Sequence, residues 1–294
     1  MIEKTTESGA ETTADWRAAG QAWGERARDW AYLFEPYAIP SFDTVLARAA
    51  VVEGTRLLDV GCGSGLAATF ARRLGANVRG IDASEELLAI ARDRVPDADF
   101  RAADLFDLPF PEASFDVVTS FNSIWFGNDG ALVEIERVLA PGGIAALTFW
   151  GDPSRMDHAA YFLAVAACST SDEGDEVIDL GKIAEPGVAE SMLAATGLQP
   201  TERGSVRCVS EWPDRDIAAR AMAAPGVAHH AIRHSGLDVF VATALERDRA
   251  PPHRPRLPPG FRSRLPHRDQ AVSAALRFCR RLRPTAHPGA TDVV

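Results

Sequence analysis

Between Arg56 and Trp150, short apolar runs of strand length alternate with apolar positions spaced along one helix face. Arg56–Val60, Asn77–Asp82, Phe100–Ala103, Phe115–Phe121 and Ile144–Trp150 read as five strands. After the first, Leu66, Phe70 and Leu74 recur every four residues, and Gly75 stands where a helix C-cap belongs. Ser84 offers an N-cap oxygen, followed by Glu85 and Glu86 in the first turn, where the helix dipole favours acids. Asp129 is placed to cap a helix over Ala131–Leu139, which stops at Pro141-Gly142-Gly143. This alternation predicts an α/β fold with a doubly wound, mostly parallel sheet.

The flanks follow another rhythm. Residues 1–15 are polar with little to bury and read as a disordered leader. From Ala14 to Phe34 the pattern is helical, with Trp16, Trp23 and Trp30 every seven residues, until Pro36 and Pro40 break it. A second helix covers Phe42–Ala50. Beyond Trp150, helices are expected over Met156–Ala167, Gly187–Ala195, Asp214–Ala223 and Val227–Leu245, with a strand at Thr201–Trp212. Proline and arginine dominate after Arg247, up to a short helical stretch at Ala271–Leu282.

A chain of 294 residues can bury a full core. It holds no run of about 18 uncharged apolar residues, so no membrane span is expected. Cys62, Cys168, Cys208 and Cys279 form neither a C-x-x-C pair nor a metal-type spacing with histidine. That pattern predicts reduced thiols in a cytoplasmic protein without a metal. A net charge of −10 argues against a nucleic-acid surface. Residues 246–294 nevertheless carry 11 arginines against 4 acids, a balance of +7 opposed by −17 elsewhere.

The chemistry concentrates at Leu57-Leu58-Asp59-Val60-Gly61-Cys62-Gly63-Ser64-Gly65, where a strand runs through glycines into a helix. Missing Cβ atoms admit a ligand to the backbone, and helix N–H groups point into the gap. A dinucleotide fingerprint wants a small residue three positions after Gly63, but Leu66 stands there. Asp59 before the turn would repel a pyrophosphate and attract the cationic amino acid end of S-adenosylmethionine. Asp82, 21 residues after Gly61, closes the second strand beside Ala83, where a ribose-binding carboxylate belongs. Ala103, Asp104 and Leu105 are placed for the adenine: Asp104 for its amine, Leu105 for its ring.

These residues resemble the class I S-adenosylmethionine-dependent methyltransferases, closest to the ubiquinone/menaquinone-biosynthesis-like group that acts on small molecules. Leu57–Gly65 is similar to their first motif, Gly80-Ile81-Asp82 to the second and Ala103-Asp104-Leu105 to the adenine-side motif. Phe115–Val118 resembles their fourth strand, and Glu134–Gly143 the helix and turn before the fifth. The resemblance covers residues 16–245. It implies a lid over 16–50, a cofactor-binding core over 51–150, a cap and C-terminal half over 151–245, and strand order 3-2-1-4-5-7-6 with strand seven antiparallel. The family's last strand would fall at Arg247–Arg268, where Pro251, Pro252, Pro255, Pro258 and Pro259 exclude an inner strand. Either a rebuilt C-terminus or a shifted reading frame accounts for that, and 246–294 is expected to be poorly ordered.

Methyl transfer to a small acceptor is an in-line displacement, so positioning carries most of it. His158 and His230 are the candidate bases, and the His230–His234 pair has no third ligand at metal spacing. Phe121 and Asn122 end the fourth strand where donor and acceptor would meet. Trp30, Tyr32 and Tyr37 lie near the entry, and Trp125 and Phe126 form either an apolar wall or ordinary core. The competing readings are an NAD-dependent oxidoreductase and a non-catalytic binding protein of the same fold. The pattern carries no signal for an oligomeric state.

Overall fold

The computed structural model describes residues 16–125, 127–151, 159–169, 182–247 and 270–281. Among the described residues, seven strands form one sheet in the order β3-β2-β1-β4-β5-β7-β6. They are β1 (Arg56–Val60), β2 (Asn77–Asp82), β3 (Asp99–Ala102), β4 (Phe115–Phe121), β5 (Leu139–Trp150), β6 (Leu198–Ser210) and β7 (Gln270–Arg281). The first five are parallel, and β7 runs antiparallel between β5 and β6.

Because side chains alternate across a sheet, adjacent residues of the central strands serve opposite cores. Leu57, Val117, Ala146 and Phe278 join one core with α3 (Ile39–Arg48), α4 (Leu66–Arg73) and α5 (Glu85–Arg94). Leu58, Val118, Ala145 and Cys279 face the other, with α6 (Asp129–Val138) and α8 (Val188–Ala194). Ser84 caps α5 as expected, its hydroxyl accepting from the Leu87 N–H at 3.3 Å. At α6 the N-cap is Asn128 without a side-chain bond; Asp129, expected to cap, is the first helical residue. Its carboxylate there serves the dipole instead.

The N-terminal segment, expected as a lid, is a chain of short helical pieces rather than one helix. It comprises α1 (Trp16–Gly24), α2 (Ala27–Asp29), a π turn at Trp30–Phe34 and a 3-10 turn at Glu35–Ala38 leading into α3. Pro40 sits at the start of α3, where the missing N–H costs nothing, so the second helix begins at Ile39, ahead of Phe42. A cap bundle of α7 (Ala159–Cys168), α9 (Arg215–Met222), α10 (Val227–Ser235) and α11 (Leu237–Arg247) closes over the same end of the sheet. The expected helix over Val227–Leu245 is two, broken at Gly236 with φ +85°.

The principal correction concerns the C-terminus. Ala271–Leu282, expected as a helix, supplies β7, and the strand held in doubt is present beyond the prolines. Its alanines favour a helix locally, but two strand edges flank the segment and their ladders override propensity. Arg281 anchors its end, donating to the Leu139 carbonyl at 2.7 Å and pairing with Glu136 at 2.7 Å.

Candidate active site

Parallel strands β1, β2 and β4 end together at one edge of the sheet, and the glycine turn opens from the end of β1. Its backbone is tied to β2: the N–H groups of Gly61 and Cys62 donate to the Ile81 carbonyl at 2.8 and 2.9 Å. Three of its residues have positive φ: Gly61 at +71°, Gly63 at +53° and Gly65 at +72°. A Cβ on Gly65 would meet Ala91 of α5 at 2.8 Å, so this glycine lets two helices approach. Cys62 is buried, its thiol pushed well up by burial.

Asp59 is buried at the base of the turn, where its Oδ1 accepts the Thr119 hydroxyl at 2.8 Å. Burial pushes its pKa up to about 7, opposed by the Thr119 bond and reinforced by the charges of Glu35 and Asp82. Asp82, half-buried, accepts from the Gly63 N–H and the Ser84 N–H, both at 2.8 Å. Burial raises its pKa as well, against those backbone donors. Both oxygens keep lone-pair capacity for hydroxyl donors. Ala83 lies under the lid: a Cβ on Gly20 of α1 would stand 2.1 Å from its carbonyl oxygen. Ala103 donates to the Asp82 carbonyl at 3.1 Å. Asp104 Oδ1 accepts the Phe106 N–H at 2.9 Å, and Leu105 packs against the sheet core.

At the end of β4, Asn122 adopts φ +57° and is wired on every side. Its N–H meets the Thr148 carbonyl at 2.9 Å, its carbonyl takes the Trp125 indole N–H at 2.9 Å, and its Nδ2 donates to the Tyr37 hydroxyl at 2.8 Å. Phe121 turns its ring onto Phe42 of α3, 4.7 Å between centroids, which leaves its backbone as the part nearest the site. Tyr37 stacks on Trp150, and burial keeps its phenol neutral. Of the candidate bases, His158 lies outside the described residues, as does Phe126. His230 is exposed on α10, while its neighbour His229 pairs with Glu25 beside α1.

Motif reading missed two parts of the site. Glu35, from the lid, is buried against Ser64 and pairs with Arg94 at 2.9 Å. A cleft of about 590 Å³ lies between lid residues Leu33, Phe34, Pro36 and Tyr37 and the end of β6, at Arg207, Val209, Ser210 and Glu211. The Ser210 hydroxyl is buried there with no hydrogen-bond partner among the described residues. No motif marks either feature, because each arises from elements far apart in the chain.

The family model described as "Methyltransferase domain" matches residues 58–147, the segment that carries the turn and strands β2 to β5. The 27-O-demethylrifamycin SV methyltransferase of Amycolatopsis mediterranei is 30% identical over 81% of this chain and 88% of its own. This chain belongs to the S-adenosylmethionine-dependent methyltransferases. The demethylmenaquinone methyltransferase of Chlorobaculum parvum is 43% identical over 32% of this chain and 42% of its own length. Among solved structures, the [4+2]-cyclase SpnF is 25% identical with a TM-score of 0.51, covering 82% of this chain and 80% of its own. A putative methyltransferase of Bacillus halodurans shares the fold at TM-score 0.56 and 18% identity, over 82% and 99% of the two chains.

The residues of this methyltransferase fit S-adenosylmethionine. Buried carboxylates meet a ligand bearing an ammonium and a sulfonium, and an acid ends β2 where ribose hydroxyls need acceptors. The Trp30 indole nitrogen is buried without a hydrogen-bond partner among the described residues, 3.6 Å from where a Gly63 Cβ would stand. When bound, this donor supplies an electrophilic methyl group on sulfur. The enzyme transfers that group to an acceptor atom of a small organic molecule. An ammonium held by Asp59 would need its ionised form, so in that case S-adenosylhomocysteine affinity should rise with pH through about 7. Below that pH the dissociation constant should weaken about tenfold per unit, and Asp59→Asn should flatten the slope. Calorimetric titrations at pH 6, 7 and 8 measure both.

Proposed function

We propose that this enzyme methylates a hydroxyl oxygen of a small organic acceptor in the cytoplasm, without a nucleic-acid partner. The observation that carries the donor assignments is the buried Asp59 at the base of a glycine turn, with Asp82 at the end of the neighbouring strand. In this reading Asp59 holds the ammonium, while Gly61, Cys62, Gly63 and Gly65 give the backbone approach. Asp82 and Ala83 take the ribose; Ala103, Asp104 and Leu105 take the adenine. Phe121 and Asn122 border the methionine arm through backbone and amide.

The choice of oxygen is supported by the Amycolatopsis relative, named for a 27-O position and aligned over most of both chains. The cleft is apolar at Leu33, Phe34 and Pro36 and polar at Arg207, Ser210 and Glu211, which suits an acceptor carrying both apolar and polar groups. Tyr37 lines that cleft and reaches Asn122, so it joins the acceptor side to the donor side. His158 and His230 remain the proposed bases, to be separated by single alanine replacements.

Calorimetry with S-adenosylhomocysteine and NADH tests the donor site: micromolar binding of the first and none of the second is expected. Asp82→Ala should weaken S-adenosylhomocysteine and free adenosine alike, by roughly 10- to 100-fold, as loss of charge-assisted hydrogen bonds predicts. Equal affinity for adenosine in variant and wild type would move the ribose elsewhere. A labelled-methyl assay over phenols, quinols, aliphatic alcohols and amines tests the acceptor; label on amines alone would overturn the oxygen assignment.

A further inference from the structure

Glu35 belongs to none of the family motifs, yet the residue is 6% exposed and lies against the glycine turn. The lid's 3-10 turn carries it there. Oε2 accepts the Ser64 hydroxyl and Arg94 Nη1, the latter at 2.9 Å. Arg94 also donates to the Ser64 carbonyl at 3.2 Å and the Ala31 carbonyl at 2.8 Å, so one guanidinium ties the lid to the turn. Oε1 leans the other way: a methyl group on Gly63 would stand 3.4 Å from it. The unpartnered Trp30 indole nitrogen lies beside that same point.

Three carboxylates, Glu35, Asp59 and Asp82, therefore surround one turn, and Arg94 neutralises only one of them. Burial raises the pKa of all three, and the charge of Glu35 raises that of Asp59 further. Buried charge without compensation is costly. A cation entering above Gly63 relieves that cost.

We propose that Glu35 is a donor-binding residue of the N-terminal segment: Oε1 shares the α-ammonium of S-adenosylmethionine with Asp59, and Arg94 holds the Glu35 carboxylate in place. Trp30 supplies the complementary N–H for the α-carboxylate. The inference rests on the glycine turn being the donor site.

The test compares S-adenosylhomocysteine with its desamino analogue, which keeps the carboxylate and lacks the ammonium. Both are titrated calorimetrically into wild type, Glu35→Gln and the double variant Glu35→Gln/Arg94→Gln. Wild type should prefer S-adenosylhomocysteine. In Glu35→Gln that ligand should weaken about tenfold while the analogue changes less than twofold, so the preference shrinks. The double variant removes the orphaned guanidinium and should melt at a higher temperature than Glu35→Gln while keeping the reduced preference. Equal weakening of both ligands, or recovery of S-adenosylhomocysteine binding in the double variant, would make Glu35 a mere counter-ion and overturn the proposal. Binding of neither ligand by wild type would overturn the donor site itself, and the proposal with it.

Discussion

Replacing Gly61 by alanine is expected to abolish binding of S-adenosylhomocysteine and to lower the melting temperature by roughly 5–15 °C. The residue has φ +71°, a conformation that costs an L-residue about 1–2 kcal/mol. The new Cβ would also stand 2.3 Å from the Ser123 Cβ and 2.4 Å from its hydroxyl oxygen. Ser123 has no easy retreat, because its hydroxyl donates to the Val60 carbonyl at 2.6 Å and lies 2.5 Å from the Ser120 hydroxyl. Overpacking of this kind costs about 1–3 kcal/mol more, and relief must come from pushing the ends of β1 and β4 apart. Those ends carry Asp59 and Asn122, so the donor contacts move with them. Gly54→Ala is the control: its φ is +81°, but nothing lies within 4 Å of the new methyl. That variant should lose a little stability and keep its binding. Wild-type affinity in Gly61→Ala would show that the turn is not where the donor approaches.

The contrast between these two glycines shows where sequence reading stops. Strands β1 and β4 fall where apolar pattern and turn residues put them, because a strand buried on both faces leaves few alternatives. Strand β2, exposed at Asn77 and Arg79, is marked by its apolar Val78, Gly80 and Ile81. Asp59, Gly61 and Gly63 were legible too, since a strand, a glycine turn and a helix follow one another within ten residues. Glu35 was not. Its partners Ser64 and Arg94 lie 29 and 59 positions away, and an acid between Phe34 and Pro36 reads as surface. Gly20 and Gly24 look like weak points in a helix. Each in fact lets α1 settle onto the start of α5, where a Cβ would stand 2.1 Å from the Ala83 carbonyl or 2.2 Å from Glu86 Oε2. Periodicity records which face of an element is apolar and says nothing of what that face meets.

The same blindness hid β7, and it leads to the largest stability effect expected of this chain. A version ending at Leu245 should yield no soluble, cooperatively melting protein. β7 pairs with β5 from Ile144↔Arg280 to Trp150↔Ala274, and with β6 from Leu198↔Arg281 to Ser210↔Gln270. Without it, both neighbours lose a ladder and expose open edges, which invite pairing between chains. β5 and β6 cannot simply close the gap, because each is fixed to different helices and β5 is held in register by β4. Phe278 and Cys279, buried in opposite cores, would leave two cavities, and Arg281 would release the Leu139 carbonyl and Glu136. Phe278→Ala gives the graded version: about 3–5 kcal/mol lost, with the turn intact. Its S-adenosylhomocysteine affinity should therefore stay near wild type below the melting transition. Circular dichroism melts of both variants decide the matter. A truncated chain that unfolds cooperatively and binds the ligand would mean that the sheet closes without Gln270–Arg281. In that case, the arginine-rich C-terminus would have no part in building the site.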